Sequence, residues 1–361
     1  MNERIKKLRS HFKTGKIDAF LVTADVNISY LTRFSSSESW LLVSPGKTLY
    51  LTDSRYEREV KKRLKGADVV CFRDTMSQAV GEIVASFGIR HLGFDERHLS
   101  VASLKKLESC LPKKTKLTAA NNLIEDLRAV KDSREIRQIR KAIELNLEAF
   151  IFVKRVIRVG MSESELLRKL DLFVRSREAR FSFDPIIASG PNSSFPHAKV
   201  TDRKFRRDEP VLVDLGIEIN GYKSDLTRMF FLGKISESLR KINAVVMAAQ
   251  EKAISKVKAG VLASAIDQEA RNYLSEKNLG KYFGHSLGHG VGLEIHEEPR
   301  ISQRSCAVLR EGMIFAVEPA VYIPNSFGIR IEDMVLVTKQ GYTLLSRDRL
   351  DSSQSGCYPF K

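Results

Sequence analysis

The stretch VDLGIEINGYKSDLTRMF (213–230) is apolar-rich on both sides of Asn220-Gly221, yet places Asp214 and Asp225 inside its two strand-like halves. Asn-Gly between such runs is the strongest short-range signal for a two-residue hairpin with a type I′ turn. Pairing Ile219 with Tyr222 then sets Asp214 opposite Thr227 and Gly216 opposite Asp225. Because strand side chains alternate between faces, the two aspartates become diagonal neighbours about 7–8 Å apart at Cα, with Gly216 leaving the space between them open. Two carboxylates in a mainly apolar setting repel each other and lose hydration, so a cation is expected between them. On the hairpin alone a plainer arrangement also fits: one aspartate bonds backbone at a strand end and the other meets Lys223 or Arg228.

The remainder of the chain adds residues of the same chemistry. GHSLGHGVGLEIHEEPR (284–300) holds His285, His289 and His296 in a glycine-rich segment, where backbone can approach a ligand closely. AVEPAVYIP (316–324) carries Glu318 directly before a proline, and GIRIEDMVLV (328–337) carries Glu332 in a further strand-like run. Each is weak evidence alone. Together they supply Asp, Asp, His, Glu and Glu, an oxygen-rich set that suits Mn²⁺, Mg²⁺ or Co²⁺ better than a thiolate-type zinc site. Four carboxylates also offset the charge of two divalent ions. Asp333, next to Glu332, points to the other strand face and reads as structural.

At 361 residues the chain is long for one core, and two domains are expected. With 43% hydrophobic and 29% charged residues it reads as an ordinary soluble globular protein. The N-terminal MNERIKKLRSHFKTGKIDAF lacks the apolar core of a signal peptide, and no uncharged apolar run approaches membrane-spanning length, so no membrane association and a cytoplasmic location are expected. Cys71, Cys110, Cys306 and Cys357 form no closely spaced pair, which suits reduced thiols. The net charge of +16 raises the question of a nucleic-acid partner. Its Lys and Arg are scattered in small groups such as Lys61, Lys62 and Arg63, so solvated surface is the expected reading and nucleic acid the less favoured one.

Residues 1–122 alternate strand-like runs (IDAFLVTA, WLLV, KTLYLTD, VVCF, HLGFD) with helical ones, as an α/β domain does. PKKTKLTAANN (112–122) is polar and aperiodic and is taken as the boundary. Residues 123–361 then form an α+β domain. It opens on a long helix started by Asp132 and Glu135 and closed at Gly160, and a second helix starts at Ser162 and Glu165. Two more helical patterns cover about 237–258 and 264–277, with β-rich segments at 181–232 and 288–346.

FDPIIASGPNSSFPHA (183–198), the hairpin, HSLGHGVGLEIHEEP (285–299), VEPAVY (317–322) and RIE (330–332), in that order, resemble the pita-bread metallopeptidases, among them Xaa-Pro dipeptidase and aminopeptidase P. VNISYLTRF and TDSRY resemble pieces of the small N-terminal domain of that family, although Arg33 and SSSES (35–39) stand where glycines are more usual. The resemblance implies an α/β N-terminal domain followed by an α+β pita-bread catalytic domain. It implies a dinuclear centre in which Asp214 binds one metal, Asp225 and Glu332 bridge, and His289 and Glu318 complete the second. The expected ions are two Mn²⁺, with Co²⁺ or Zn²⁺ as alternatives, activating a water for which Glu318 is the general base. By the same resemblance His197 and His296 act at the scissile bond, His285 is a further candidate for substrate contact, and Thr227 and Arg330 support the metal-binding carboxylates.

A methionine aminopeptidase usually lacks the N-terminal domain, and creatinase works without metal, so both fit less well. Arg300 matches an arginine that meets the carboxylate of a dipeptide in some prolidases, which favours Xaa-Pro dipeptidase over aminopeptidase P. A non-catalytic binding protein is the least favoured alternative. The resemblance further implies a homodimer acting on proline-containing peptides.

Overall fold

The computed structural model describes residues 3–34, 37–346 and the backbone of 357–359; Ser35, Ser36 and the Cys357 side chain lie outside the described residues. The chain divides into two compact units, Met1–Arg128 and Ala129–Lys361.

In the first unit the apolar runs form β1 (Ala19–Val22), β2 (Trp40–Val43), β3 (Thr48–Thr52), β4 (Asp68–Cys71) and β5 (His91–Phe94). A sixth strand, β6 (Lys116–Ala119), lies inside the stretch read from sequence as aperiodic. It pairs on one side only, parallel to β5, at the edge of a sheet ordered β4-β3-β2-β1-β5-β6, and none of its side chains is fully buried. An edge strand with both faces half-exposed carries no alternation to detect. The units also part later than position 122, at Arg128. Glu125 accepts a hydrogen bond from Asn27 Nδ2 (2.7 Å) and Arg128 Nη1 donates to Asn27 Oδ1 (2.9 Å), which ties the segment 125–128 to the first unit.

The second unit opens on the helix Ser133–Val156, whose N-terminus is a complete capping box of Asp132 and Glu135. The helix stops at Val156, short of the Gly160 expected from sequence. Ile157 turns extended (ψ 136°) to bury its side chain, and Gly160, at φ +85°, serves the turn into the next helix, Glu163–Arg175. The other two long helices are Glu237–Ser255 and Ala263–Glu276.

The site-bearing strands lie between these helix pairs. They are β7 (Arg180–Phe181), β8 (Ile186–Ser189), β9 (Pro210–Leu215), β10 (Ile217–Ile219), β11 (Tyr222–Lys223) and β12 (Leu226–Phe231). After them come β13 (Gly288–Gly290), β14 (Glu297–Ile301), β15 (Ile314–Val317), β16 (Ala320–Ile323), β17 (Phe327–Arg330), β18 (Asp333–Val337), β19 (Tyr342–Leu344) and β20 (Cys357–Pro359). The larger sheets are ordered β20-β12-β9-β8 and β14-β13-β15-β18-β19. Period-two alternation divides β9 and β12 between two cores. Leu212, Met229 and Phe231 pack with the helices Glu237–Ser255 and Ala263–Glu276. Val211, Val213, Leu215, Leu226 and Phe230 pack with Ser133–Val156 and Glu163–Arg175. Each fully buried Leu or Phe adds about 1.5–3 kcal/mol, so the sheet is clamped from both faces.

The hairpin register is the expected one: Ile219 pairs with Tyr222 and Asp214 with Thr227. Asn220 (φ 53°) and Gly221 (φ 83°) make the turn that requires positive φ at both central residues. The ladder is nevertheless interrupted between these pairs, and the hairpin is shared by two sheets, β10-β11 joining β7 while β9-β12 join β8. Gly216 sits at the break and does not hold space open. A Cβ there would lie 2.2 Å from the Ser224 carbonyl oxygen and 2.7 Å from the Phe183 ring. Glycine is required because backbone closes onto it. We expect Gly216→Ala to lower unfolding stability by about 3 kcal/mol, the upper range for overpacking, in a urea titration. Gly284→Ala, where a Cβ meets nothing within 4 Å, is expected to change stability by about 0.5 kcal/mol or less.

Candidate metal centre

Five strands or strand ends bring the carboxylates and His289 together. Asp214 projects from β9 and Asp225 stands just before β12. Glu318 lies between β15 and β16, its N–H donating to the Leu287 carbonyl (2.8 Å), and Glu332 lies between β17 and β18, bridged to Thr227. His289 occupies the centre of β13, which runs between β14 and β15. Its neighbours must be glycine: a Cβ on Gly288 would stand 1.8 Å from the Ala316 carbonyl oxygen, and one on Gly290 2.2 Å from that of Glu298. The register shifts between His289 and Gly290, a bulge of the kind that re-aims a side chain.

One ligand atom each from Asp225, His289 and Glu332 lie within 4.8 Å of one another. His289 Nε2 stands 3.6 Å from both Asp225 Oδ2 and Glu318 Oε1, beyond hydrogen-bond range. Its Nδ1 faces the Gly290 carbonyl oxygen at 3.3 Å, which favours the proton on that nitrogen. The Nε2 lone pair then points at two carboxylates, an arrangement that is repulsive unless a cation lies between them.

The proton affinities state the same conflict. Burial, then Glu332, Asp214 and Glu318, push Asp225 well above the carboxylate range. Burial and then Glu332 do the same to Glu318, while burial and Asp214 raise Glu332 to about 8. Asp214 is raised by burial despite its ion pair with Arg330. Burial and then His296 lower His289 to about 4. Every one of these groups is driven toward its neutral form. Leaving a buried carboxylate ionised without compensation costs several kcal/mol, more than one buried Leu returns. Among the described residues, Asp214 Oδ1 is in addition buried with no hydrogen-bond partner. Carboxylate-rich donors, an imidazole with a free inward nitrogen and an orphaned buried oxygen fit hard divalent cations.

The alternative partners considered for the aspartates are engaged elsewhere. Lys223 Nζ pairs with Glu218 (2.5 Å) and Arg228 Nη2 with Asp333 (2.8 Å), which leaves Asp333 a structural partner of Arg228 and Ser346. Arg330 is the arginine that reaches Asp214. Its Nε donates to Thr227 Oγ1 (3.2 Å), and Thr227 Oγ1 donates to Glu332 Oε2 (2.7 Å), so the two residues brace both carboxylates. Burial alone would lower the proton affinity of Arg330, but Tyr322, Asp214, Glu318 and Glu332 raise it well above its ordinary range.

The other expected residues surround this centre. The His296 ring lies edge-on to His289, 4.3 Å between centroids. The exposed His197 lies near enough to Asp214, His285 and His296 to influence them electrostatically. His285 Nε2 meets the Tyr322 hydroxyl at 3.2 Å. Arg300 pairs directly with His289 across β13 and β14, so the two side chains leave on the same side. Tyr322 was not anticipated from sequence. Its hydroxyl accepts from Arg330 Nη1 (2.5 Å), and burial, the larger cause, pushes its proton affinity up to about 12. The signal was a tyrosine in a buried strand four residues after Glu318, since a buried hydroxyl needs a partner.

Comparison with known proteins agrees with this geometry. Residues 137–339 match Metallopeptidase family M24, and residues 4–130 match the Creatinase/Prolidase N-terminal domain. The chain is 35% identical over 353 residues to an Xaa-Pro dipeptidase of Pyrococcus horikoshii, covering 96% of this chain and 97% of that one. Among solved structures it is similar to an Xaa-Pro dipeptidase from Bacillus anthracis (TM-score 0.93, 34% identity, 99% of each chain). It is also similar to an X-Pro aminopeptidase from Thermotoga maritima (TM-score 0.88, 32% identity, 97% of this chain and 100% of that one). Coverage of this extent over a centre so composed means that the chain belongs to metallopeptidase family M24, with a creatinase/prolidase-type N-terminal domain and a pita-bread catalytic fold.

Proposed function

We propose that the chain hydrolyses Xaa-Pro dipeptides, with Asp214, Asp225, His289, Glu318 and Glu332 holding two divalent ions. When bound, such ions supply Lewis-acid polarisation of the scissile carbonyl and acidify a water. Glu318, whose proton affinity is raised by burial, takes a proton from the attacking water and returns it to the proline nitrogen as the bond breaks. His197 assists proton transfer at the scissile bond or stabilises the intermediate, His296 contacts the substrate near the carbonyl, and Arg330 with Thr227 keeps Asp214 and Glu332 in place.

Arg300 is the observation that favours a dipeptide. It is exposed, stands opposite His289, and spends its Nε on Ser286 Oγ (3.2 Å). Among the described residues its terminal nitrogens have no hydrogen-bond partner, which suits a carboxylate one residue beyond the cleaved bond, and a guanidinium–carboxylate contact there selects chains that end at proline. Xaa-Pro aminopeptidase is the second reading, supported by the likeness to the T. maritima structure. For the finer properties we infer Mn²⁺, on the oxygen-rich donors, and a cytoplasmic homodimer, the location resting on the unpaired thiols of Cys71, Cys110 and Cys306.

Purified protein assayed with Mn²⁺, Co²⁺ or chelator on Xaa-Pro, Xaa-Pro-Xaa and Met-Xaa peptides tests the reading; activity on the first, lost in chelator, is expected. Arg300→Ala is expected to lower kcat/KM on Xaa-Pro dipeptides by about 10- to 100-fold, the worth of a charged hydrogen bond. On Xaa-Pro-Xaa the loss is expected to stay within about threefold, and an equal loss on both would favour the aminopeptidase reading.

Metal removal makes stability depend on pH in a stated direction. A carboxyl whose folded pKa is raised stabilises the fold while protonated, and that contribution is lost as pH rises toward the folded value, about 8 for Glu332. His285 and His289, lowered to about 4, act oppositely but only below their ordinary value of 6.5. Between pH 6.5 and 8 the chelated protein is therefore expected to lose thermal stability with rising pH, and saturating Mn²⁺ to abolish that slope. A flat chelated profile would count against the buried carboxylate cluster.

A further inference from the structure

Glu163, the first residue of the helix Glu163–Arg175, is completely buried, and the metal centre makes no use of it. Its Oε1 accepts from the Ser189 N–H (2.8 Å) and the Ser189 hydroxyl (2.9 Å), and its Oε2 from the Thr201 N–H (3.1 Å) and the Thr201 hydroxyl (2.6 Å). The Asn192 amide donates to both oxygens, at 3.2 and 3.3 Å. Nearby Arg203 pairs with Glu209, and among the described residues Glu163 has no ion-pair partner of its own. Burying a carboxylate is costly, and for stability alone an apolar side chain serves as well. Here every donor belongs to one loop, 189–201, and the two backbone N–H groups mark its two ends.

That loop carries His197. Its inner side is held by Arg330, whose Nη1 donates to the Pro196 carbonyl (3.1 Å), and by the Gly328 N–H on Ser193 Oγ (2.8 Å). Its outer side is held by Glu163 and by the Ser164 N–H on the Thr201 carbonyl (3.0 Å). We propose that Glu163 is a positioning residue for hydrolysis, fixing both ends of this loop so that the exposed His197 imidazole is presented to the scissile bond in one orientation. The inference rests on the reading above that His197 serves that bond. Glutamine cannot replace Glu163, because its NH₂ would face the N–H of Ser189 or of Thr201 and neither backbone donor can turn away.

The test is a double-variant cycle on the Mn²⁺-loaded enzyme with an Xaa-Pro dipeptide, measuring kcat, KM, bound metal and thermal midpoint. Glu163→Gln is expected to lower kcat by about 10- to 100-fold, the effect of misplacing a catalytic group by about 1 Å, with KM within about twofold and bound metal unchanged. In a His197→Ala background the same substitution is expected to change kcat by less than about twofold. A merely structural role would lower kcat by the same factor in both backgrounds, and that result, or an unchanged kcat for Glu163→Gln alone, overturns the inference. If His197→Ala by itself leaves kcat intact, the role given to His197 fails and the inference falls with it. Should Glu163→Gln not fold, Thr201→Val, which removes one hydroxyl donor and keeps the carboxylate, is put through the same cycle with the same criteria.

Discussion

Three buried carboxylates and the half-buried Glu318 crowd around one imidazole, and the catalytic unit is organised to make that possible. Asp214, Asp225, Glu318 and Glu332 each lose hydration, and all but Asp214 are pushed further by the neighbouring acids. A chain that only had to fold would replace them with leucine or valine, which in these strands would join either core. The cluster persists because strands held from both sides cannot relax away from it. The two apolar layers on β9 and β12 supply that rigidity, and hence the repulsion is stored as affinity for cations instead of being lost as local disorder.

The arrangement also depends on where side chains are missing. Gly288 and Gly290 let β13 pass close to its neighbours and leave His289 as the one side chain of that strand. Gly216 lets Ser224 close onto the hairpin where it passes from one sheet to the other, immediately before Asp225. Polar residues then fix what the backbone has brought together. Thr227 relays between Arg330 and Glu332, and Tyr322 connects Arg330 with His285. Arg330 reaches Asp214, Thr227, Tyr322 and the His197 loop together, so a substitution at this arginine touches the carboxylate cluster and the loop at once.

What could be read from sequence were the features encoded by neighbours in the chain. The hairpin register followed from Asn220-Gly221 and the period of a strand, and the capping boxes at Asp132 and Ser162 marked the helix starts. Features set by distant residues were misread or missed. Gly216 appeared to open space because its contact, the Ser224 carbonyl, is invisible to a one-dimensional pattern. β6 escaped because an edge strand buries little, and the end of the first long helix was placed at Gly160 because the burial of Ile157 is a tertiary fact. Glu163 lies in a first helical turn, where acids are favoured anyway, so the sequence does not single it out. Its donors come from 26 to 38 residues downstream.

Residue types alone do not define a metal site, as a second group in the same chain demonstrates. Asp95, His98 and Glu125 of the first unit also bring three ligand atoms within 4.8 Å. There Arg97 Nη2 lies 2.7 Å from Glu125 Oε2 and 3.2 Å from Asp95 Oδ2, while Asn27 donates to the other oxygen of Glu125. Protein cations and amides already serve those acids. In the catalytic unit, among the described residues, Arg330 ion-pairs with Asp214 alone, His289 Nε2 stands beyond hydrogen-bond reach of the acids it faces, and Asp214 Oδ1 has no hydrogen-bond partner. The difference between a salt-bridge cluster and a metal cradle is thus a matter of which charges the protein itself answers, and at the hairpin it leaves several of them to be answered by metal.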